Sequence, residues 1–471
     1  MNTRPIIDDS RGPTSLCVSF NHDASCFCVG HENGFCVFSS NPCELRVSRD
    51  FNAGIGVTGM LGRYNFLALA GGGKRPKYGR DQVVVWDDAK QKAVISLDFS
   101  GENDEKEKNW DQLRRSGAGA GSIQSLLGPK SEAMAAVNHV LGVRLSKSRL
   151  IVILRYCVKL YTFASPTSKI SDFDTAENPA GLCCLGDKII AFPGRSAGQI
   201  QLVELEARNV TIIPAHSTPL RAMSLSADGQ LLATASEQGT LIRVFNTGNC
   251  ARIAELRRGV DPALIFSIAI SPSSTMLAVT SDKSTLHVFD LPTSSPSSSA
   301  SRLASTPSNR RLPPTPRNTS PSSATSNLTA TQTDGISPPT NPANKWGLLS
   351  KLPLLPRVFS DIYSFASAQF DMGDSYSKQQ YYQHHQRQHY HKGQSNSFYS
   401  ASAAPLEAGG NYGSPPQTGQ VGWTDDDTIV VVNAGIEGKW ERFRLMKSEG
   451  DAGVDTGKIC LKRDAWKRYL G

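Results

Sequence analysis

The sequence predicts an all-β fold, a seven-bladed β-propeller with long disordered insertions. Three observations predict it. A strand–turn–strand unit recurs seven times; most of its spacings match the length of a four-stranded blade; and the remaining sequence falls into separate polar or low-complexity blocks. Composition agrees, because 39% of the 471 residues are hydrophobic and 40 Gly and 27 Pro suit a loop-rich β protein.

The clearest copies of the unit are LLATASEQGTLIRVF (231–245) and MLAVTSDKSTLHVF (276–289), in which Ser236 matches Ser281, Thr240 matches Thr285 and Phe245 matches Phe289. Further copies are SCFCVGHENGFCVF (25–38), FLALAGGGKRPKYGRDQVVVW (66–86), RLIVILRYCVKLYTF (149–163), KIIAFPGRSAGQIQLV (188–203) and TIVVVNAGIEGKWERF (428–443). Their last residues lie 48, 77, 40, 42, 44 and 154 positions apart. Three of these intervals fit the ~40–45-residue period of a propeller blade, and the 48-residue interval lies close to it. A lone unit cannot bury both faces of its strands, so stacking in a ring is the stable solution.

The two long intervals hold the insertions in a single propeller spanning 1–471. Residues 101–137 are polar and Gly-rich and separate blades two and three. Residues 291–361 form a long loop of blade six, rich at first in Ser, Thr, Pro and Asn. Residues 372–420 precede blade seven and include the Gln/His/Tyr tract YSKQQYYQHHQRQHYHKGQ. Between them, KWGLLSKLPLLPRVFSDIYSFASAQF (345–370) ends in a strand.

Chemistry is sparse. Ten cysteines include the alternating Cys26, Cys28 and Cys36 and the adjacent Cys183 and Cys184, and no pair has zinc-ligand spacing. They read as small buried hydrophobes of a reducing compartment. His384, His385, His389 and His391 lie in a tract without a packing pattern, so they read as solvent-exposed rather than as a metal centre. GGGKRPK (71–77) lacks phosphate-loop spacing and is followed by a strand, which makes it a hairpin turn. No Ser–His–Asp order, carboxylate pair or nucleotide motif is present, so neither enzyme nor cofactor is expected. Residues 1–16, with Arg4, Asp8, Asp9 and Arg11, lack the apolar run of a signal peptide. No segment approaches the ~18 apolar residues of a spanning helix, so any membrane contact is peripheral. The net charge of +8 permits an anionic partner.

One motif stands out. Arg257 and Arg258 adjoin in the link between the fifth and sixth units, where their side chains can diverge. Thr234, Ser236 and Thr240 supply hydroxyls on one side, and Ser281, Ser284 and Thr285 on the other. His216, Arg243, Lys283 and His287 add basic groups. Guanidinium forks chelate phosphate oxygens while hydroxyls and imidazoles add donors, so the pattern fits two phosphorylated headgroups. Ordinary surface arginines and strand Ser/Thr are the competing reading. From 291 to 360 seven Lys/Arg face one acid, a balance of +6. Trp346, Leu348, Leu349, Leu352, Leu354, Leu355 and Phe359 follow within this basic surround, with Pro353 and Pro356 interrupting any long helix. Apolar residues flanked by cations suit a peripheral membrane anchor, and folding back onto the propeller is the alternative. Thr306, Thr315, Ser320 and Ser337 each precede Pro, and phosphorylation there would weaken such an anchor.

These residues resemble the PROPPIN family, β-propellers of WD-repeat type that bind polyphosphoinositides in autophagy, and are nearest to its shorter WIPI-like members. The signature is Leu256-Arg257-Arg258-Gly259; NPAGLCCL (178–185), IIAFPG (189–194), IPAH (213–216), LALAGGGKRPKY with VVVWDD (67–88) and LPRVFSDIYSFASAQF (355–370) are similar to family sequence. The resemblance implies binding of phosphatidylinositol 3-phosphate and the 3,5-bisphosphate at two rim sites, with the blade-six loop dipping into the bilayer. It assigns His216, Ser236, Thr240, Arg243 and Arg257 to the first site. Arg258, Ser267, Ser281, Thr285 and His287 go to the second, with Lys283 a departure from the family's usual residue. It also implies an autophagy lipid-transfer partner docked on the early blades, for which Asn21 and Asp23 in SFNHD (19–23) are the candidates. The implied location is cytoplasmic, peripheral on pre-autophagosomal, endosomal and vacuolar or lysosomal membranes. A protein-only WD-repeat scaffold is the competing class. Nucleic acid is not an expected partner, because no aromatic platform accompanies the basic loop.

Overall fold

The computed structural model describes residues 12–100, 138–292, 362–373, 417–449 and 455–470. Each of the seven recurring units is the second and third strand of one sheet, and seven sheets make seven propeller blades. Blades one to five occupy 15–50, 55–98, 142–174, 184–214 and 220–257; blade six takes 265–290 and 366–369; blade seven spans 420–468. The apolar runs have a simple cause. Second strands are covered by neighbouring blades on both faces, so Leu277 to Ser281 is buried throughout, whereas the outermost strand Cys43–Asp50 is largely exposed. First strands, including Gly56–Met60 and Arg221–Leu225, line a central channel.

Contacts between blades decide which way each side chain looks. Ala235, Ile242, Val244, Ala254 and Leu256 of blade five pack on Ile268, Val279 and Phe289 of blade six. Burying each of the larger ones contributes about 1.5–3 kcal/mol. With successive strand residues on opposite faces, Arg243, Glu255 and Arg257 therefore face blade four. In blade six, His287 pairs with Val279 and shares its face, toward blade five.

Among the described residues the ring closes without exchanging a strand. Gln420–Asp425, Thr428–Asn433, Lys439–Glu449 and Asp455–Arg468 make blade seven in simple order. A polar clasp joins it to blade one: Ser15 N donates to Gly435 O (3.1 Å) and Gly435 N returns to Ser15 O (3.0 Å). Tyr469 Oη donates to Asn433 O (2.7 Å), and Trp440 Nε1 donates across the seam to Ser40 O (2.9 Å).

The strand expected at the end of 345–370 is present, but in two pieces. Ala366–Gln369 is the outermost strand of blade six, paired to Thr285–Val288. Just before it, Ile362–Tyr363 pairs in parallel with Leu256–Arg257, giving blade five a fifth strand beside the arginine pair.

Candidate phosphate-binding pockets on either side of blade five

The first group of side chains sits between blades four and five. Strand register sets Thr234, Arg243 and Glu255 in one row across blade five. Arg243 Nε donates to Glu255 Oε2 (2.8 Å) and Nη1 to Ala215 O (2.5 Å). Arg252 Nη1 reaches the same Glu255 oxygen at 2.7 Å. His216 follows the outer strand of blade four, with Nε2 3.0 Å from Thr234 Oγ1. Burial, and next the Arg243 charge, push its imidazole down to about 4, so the ring is neutral near pH 7. Ser236 lies two residues beyond Thr234 on the same face and is buried. Arg257 pairs with Leu241 at the end of the row.

The second group straddles the seam between blades five and six. Arg258 leaves the outer strand, and its backbone N donates to Thr240 O (3.0 Å). Its Nε donates to Gly239 O (3.0 Å) and its Nη2 to Asp261 O (2.5 Å). Gly239 is required at this turn by the close passage of the link to blade six: its φ is +61°, and a Cβ there would run into Ala263 O. Burial draws the Arg258 guanidinium below its ordinary value, opposed by Asp282 and Asp261. Ser281 and Thr285 face each other at 3.1 Å between hydroxyls. Burial, and next the Arg258 charge, push His287 down to about 4, and its Nδ1 lies 3.0 Å from Ser364 Oγ.

The two groups are related with their bases exchanged. Arg243 and His287 hold equivalent places on the third strands, opposite Thr234 and Val279. His216 and Arg258 come from the links after blades four and five. Each group thus joins a guanidinium and a neutral, half-buried imidazole, one from a strand and one from a link. Such pairs offer a fork of donors plus a further donor for a phosphate.

Other candidates fall elsewhere. Ser267 pairs with Thr280, which looks toward blade seven and donates to Gly419 O (2.6 Å), so register separates Ser267 from Ser281, Thr285 and His287. Lys283 is exposed in the Ser281–Ser284 turn. The matching of Thr240 with Thr285 shifts by one in the pairing: Ser281 opposes Thr285, whereas Leu241 holds that place in blade five, whose turn carries one more residue. Asn21 and Asp23 form a turn between strands. Asn21 Oδ1 accepts from Cys26 N (3.0 Å), and Asp23 Oδ1 from Ser25 N and Oγ (3.1 and 2.6 Å). Ser226 and Asp228 do the same work in blade five. The candidate anchor residues Trp346, Leu348, Leu349, Leu352, Leu354, Leu355 and Phe359, and the His-rich tract, lie outside the described residues. Among the described residues no three His, Cys, Asp or Glu side chains gather as a metal site, and no helix is long and apolar enough to cross a membrane.

Two contributors escaped the sequence. Glu255 is readable in retrospect, because a short hairpin after Phe245 puts residue 255 opposite 243. Ser364 carries no local signal, since it arrives across a long connection.

The PROPPIN family profile matches residues 131–308. SVP1-like protein 2 of Emericella nidulans is 46% identical over 412 residues, covering 88% of this chain and 99% of that protein. SVP1-like protein 2 of Neurospora crassa is 43% identical, covering 100% of this chain and 99% of its own. Among solved structures, Kluyveromyces lactis Hsv2 superposes with a TM-score of 0.58 at 19% identity, over 97% of this chain and 99% of that one. KlAtg21, solved in complex with the coiled-coil of AgAtg16, superposes at 0.54 with 14% identity over the same shares. These structures share the fold.

Proposed function

The chain belongs to the PROPPIN family, and on that premise we propose that it is a peripheral membrane effector reading 3-phosphorylated inositol lipids with one headgroup on each side of blade five. The observation that carries this reading is the duplicated pairing of guanidinium and neutral imidazole, His216 with Arg243 and His287 with Arg258, with Arg257 at the end of the first row. Phosphate oxygens accept from the guanidinium forks, and the half-buried imidazoles add a donor without adding a fixed charge. A phosphate dianion beside either ring favours its protonated form, so binding takes up protons. The ligands are phosphatidylinositol 3-phosphate and the 3,5-bisphosphate.

Two weak sites and the apolar, basic stretch 345–359 acting on one surface multiply their affinities through effective concentration. Recruitment of autophagy machinery, including a lipid-transfer protein, follows from the faces left clear of the membrane. The location on pre-autophagosomal, endosomal and vacuolar membranes belongs to the same reading. Asp23, exposed at its turn, remains a surface candidate for that partner, while buried Asn21 acts through the turn.

One observation favours a protein-only scaffold instead. Arg243 and Arg258 already have intramolecular acceptors in Glu255, Ala215, Gly239 and Asp261. Liposome flotation separates the two. Binding to vesicles with phosphatidylinositol 3-phosphate, and its loss in Arg257→Thr/Arg258→Thr, is the expected result. Flotation that ignores the lipid, or is kept by the double variant, favours the scaffold or a generic anionic anchor.

A further inference from the structure

The second pocket has a contributor that comes from outside blades five and six proper. The chain returning from the long connection first lies along the edge of blade five, Ile362 beside Leu256 and Tyr363 beside Arg257. It then crosses the seam: Ser364 Oγ stands 3.0 Å from His287 Nδ1, and Phe365 N donates to Val288 O (3.0 Å). Only after this does it become the outer strand of blade six. The root of the connection is therefore stitched to the arginine pair on one side and to the imidazole on the other. Ser364 is half-buried there.

We propose that Ser364 is a positioning residue of the second headgroup pocket: it sets the ring of His287 and ties the pocket to the root of the long connection. In this proposal the Ser364 hydroxyl is the donor to Nδ1, which leaves the ring proton on Nε2 as the donor available to a phosphate oxygen. His216 is held the other way, through its Nε2, so the two pockets use opposite ring nitrogens. This rests on the headgroup reading above, but the ring state itself does not.

The test uses the full chain carrying Arg257→Thr, so that only the second pocket is titrated, with soluble inositol 1,3-bisphosphate as probe. In parallel, nitrogen NMR of the ligand-free chain reads the tautomer of His287. Ser364→Ala is expected to weaken the probe about fivefold and to mix the two tautomers, while Ser364→Thr restores both. Ile362→Gly/Tyr363→Gly, which loosens the stitch but keeps Ser364, should reproduce the alanine result. An unchanged tautomer and affinity in Ser364→Ala overturns the proposal. So does a threonine variant that fails as alanine does with the same loss of melting temperature, which marks a merely structural role. If the chain without substitutions ignores the probe while its ring is held on Nε2, the headgroup reading fails and takes the pocket role with it.

Discussion

Replacing Glu255 by Gln should tighten the first pocket. Glu255 is the only carboxylate whose bonds to Arg243 are resolved among the described residues, and its side chain is only 11% exposed. It neutralises the guanidinium that, in the proposed function, a phosphate would also engage. A phosphate held by Arg243 would stand ~6 Å from this carboxylate, and with an effective dielectric of about 20–40 the repulsion is roughly 1.4–2.8 kcal/mol per unit charge. Arg252 shares the same oxygen and offsets part of it, so the lower figure applies, which is about tenfold in affinity. Glutamine keeps an acceptor for Arg243 Nε, so orientation changes little while the charge is removed. The cost is the loss of two charge-assisted bonds, roughly 1–2 kcal/mol of stability. Calorimetric titration with inositol 1,3-bisphosphate in an Arg258→Thr background isolates this pocket. Affinity that falls, or stays the same, in Glu255→Gln would refute the electrostatic reasoning and make Glu255 a support for Arg243 rather than its counter-ion.

Acid should destabilise the chain through its two imidazoles. His216 and His287 titrate near 4 when folded and near 6.5 when unfolded, so between those values the unfolded chain binds more protons and stability falls as pH falls. Discounting for partial exposure, the loss is roughly 1–2 kcal/mol for each ring, seen as a lower urea midpoint at pH 4.5 than at pH 7. A midpoint that does not move would contradict the burial of both rings. Gly239→Ala adds a Cβ at φ +61° against Ala263 O, and should cost about 2 kcal/mol or more and weaken the second pocket through Arg258. A melting temperature within a degree of the original would mean that the link relaxes freely. Tyr469→Phe removes the buried hydroxyl bonded to Asn433 and Ser15, about 1–2 kcal/mol. Hydrogen exchange should then quicken first at the seam of blades seven and one.

The seven blades were readable because second and third strands are buried on both faces and so run apolar, as Leu277 to Ser281 does. The flanking strands were less so. Arg252–Arg257 is half exposed and mixes charge with Ile253 and Leu256, and the first strand of blade four is just Cys184–Leu185. Closure at Ser15 and Gly435 joins residues 420 positions apart, a contact with no periodic trace. In the candidate pockets, the arginine pair and the hydroxyls were visible because repeats place like residues at like turns. The extra residue in the blade-five turn displaced Thr240 by one, a shift that only strand pairing reveals. Glu255 is not singled out by the sequence, and only strand register sets it against Arg243. Ser267 shares a strand with the pocket wall but faces away, which follows from the irregular pairing between Ile265 and Ser267.

The most direct measurement is the number of headgroups bound per chain, by calorimetric titration with soluble inositol 1,3-bisphosphate. Two pockets divided between Arg257 and Arg258 require two per chain in the unsubstituted protein, one in either Arg257→Thr or Arg258→Thr, and none in the double variant. A single headgroup in the unsubstituted chain, or binding undiminished in the double variant, would contradict the two-pocket arrangement.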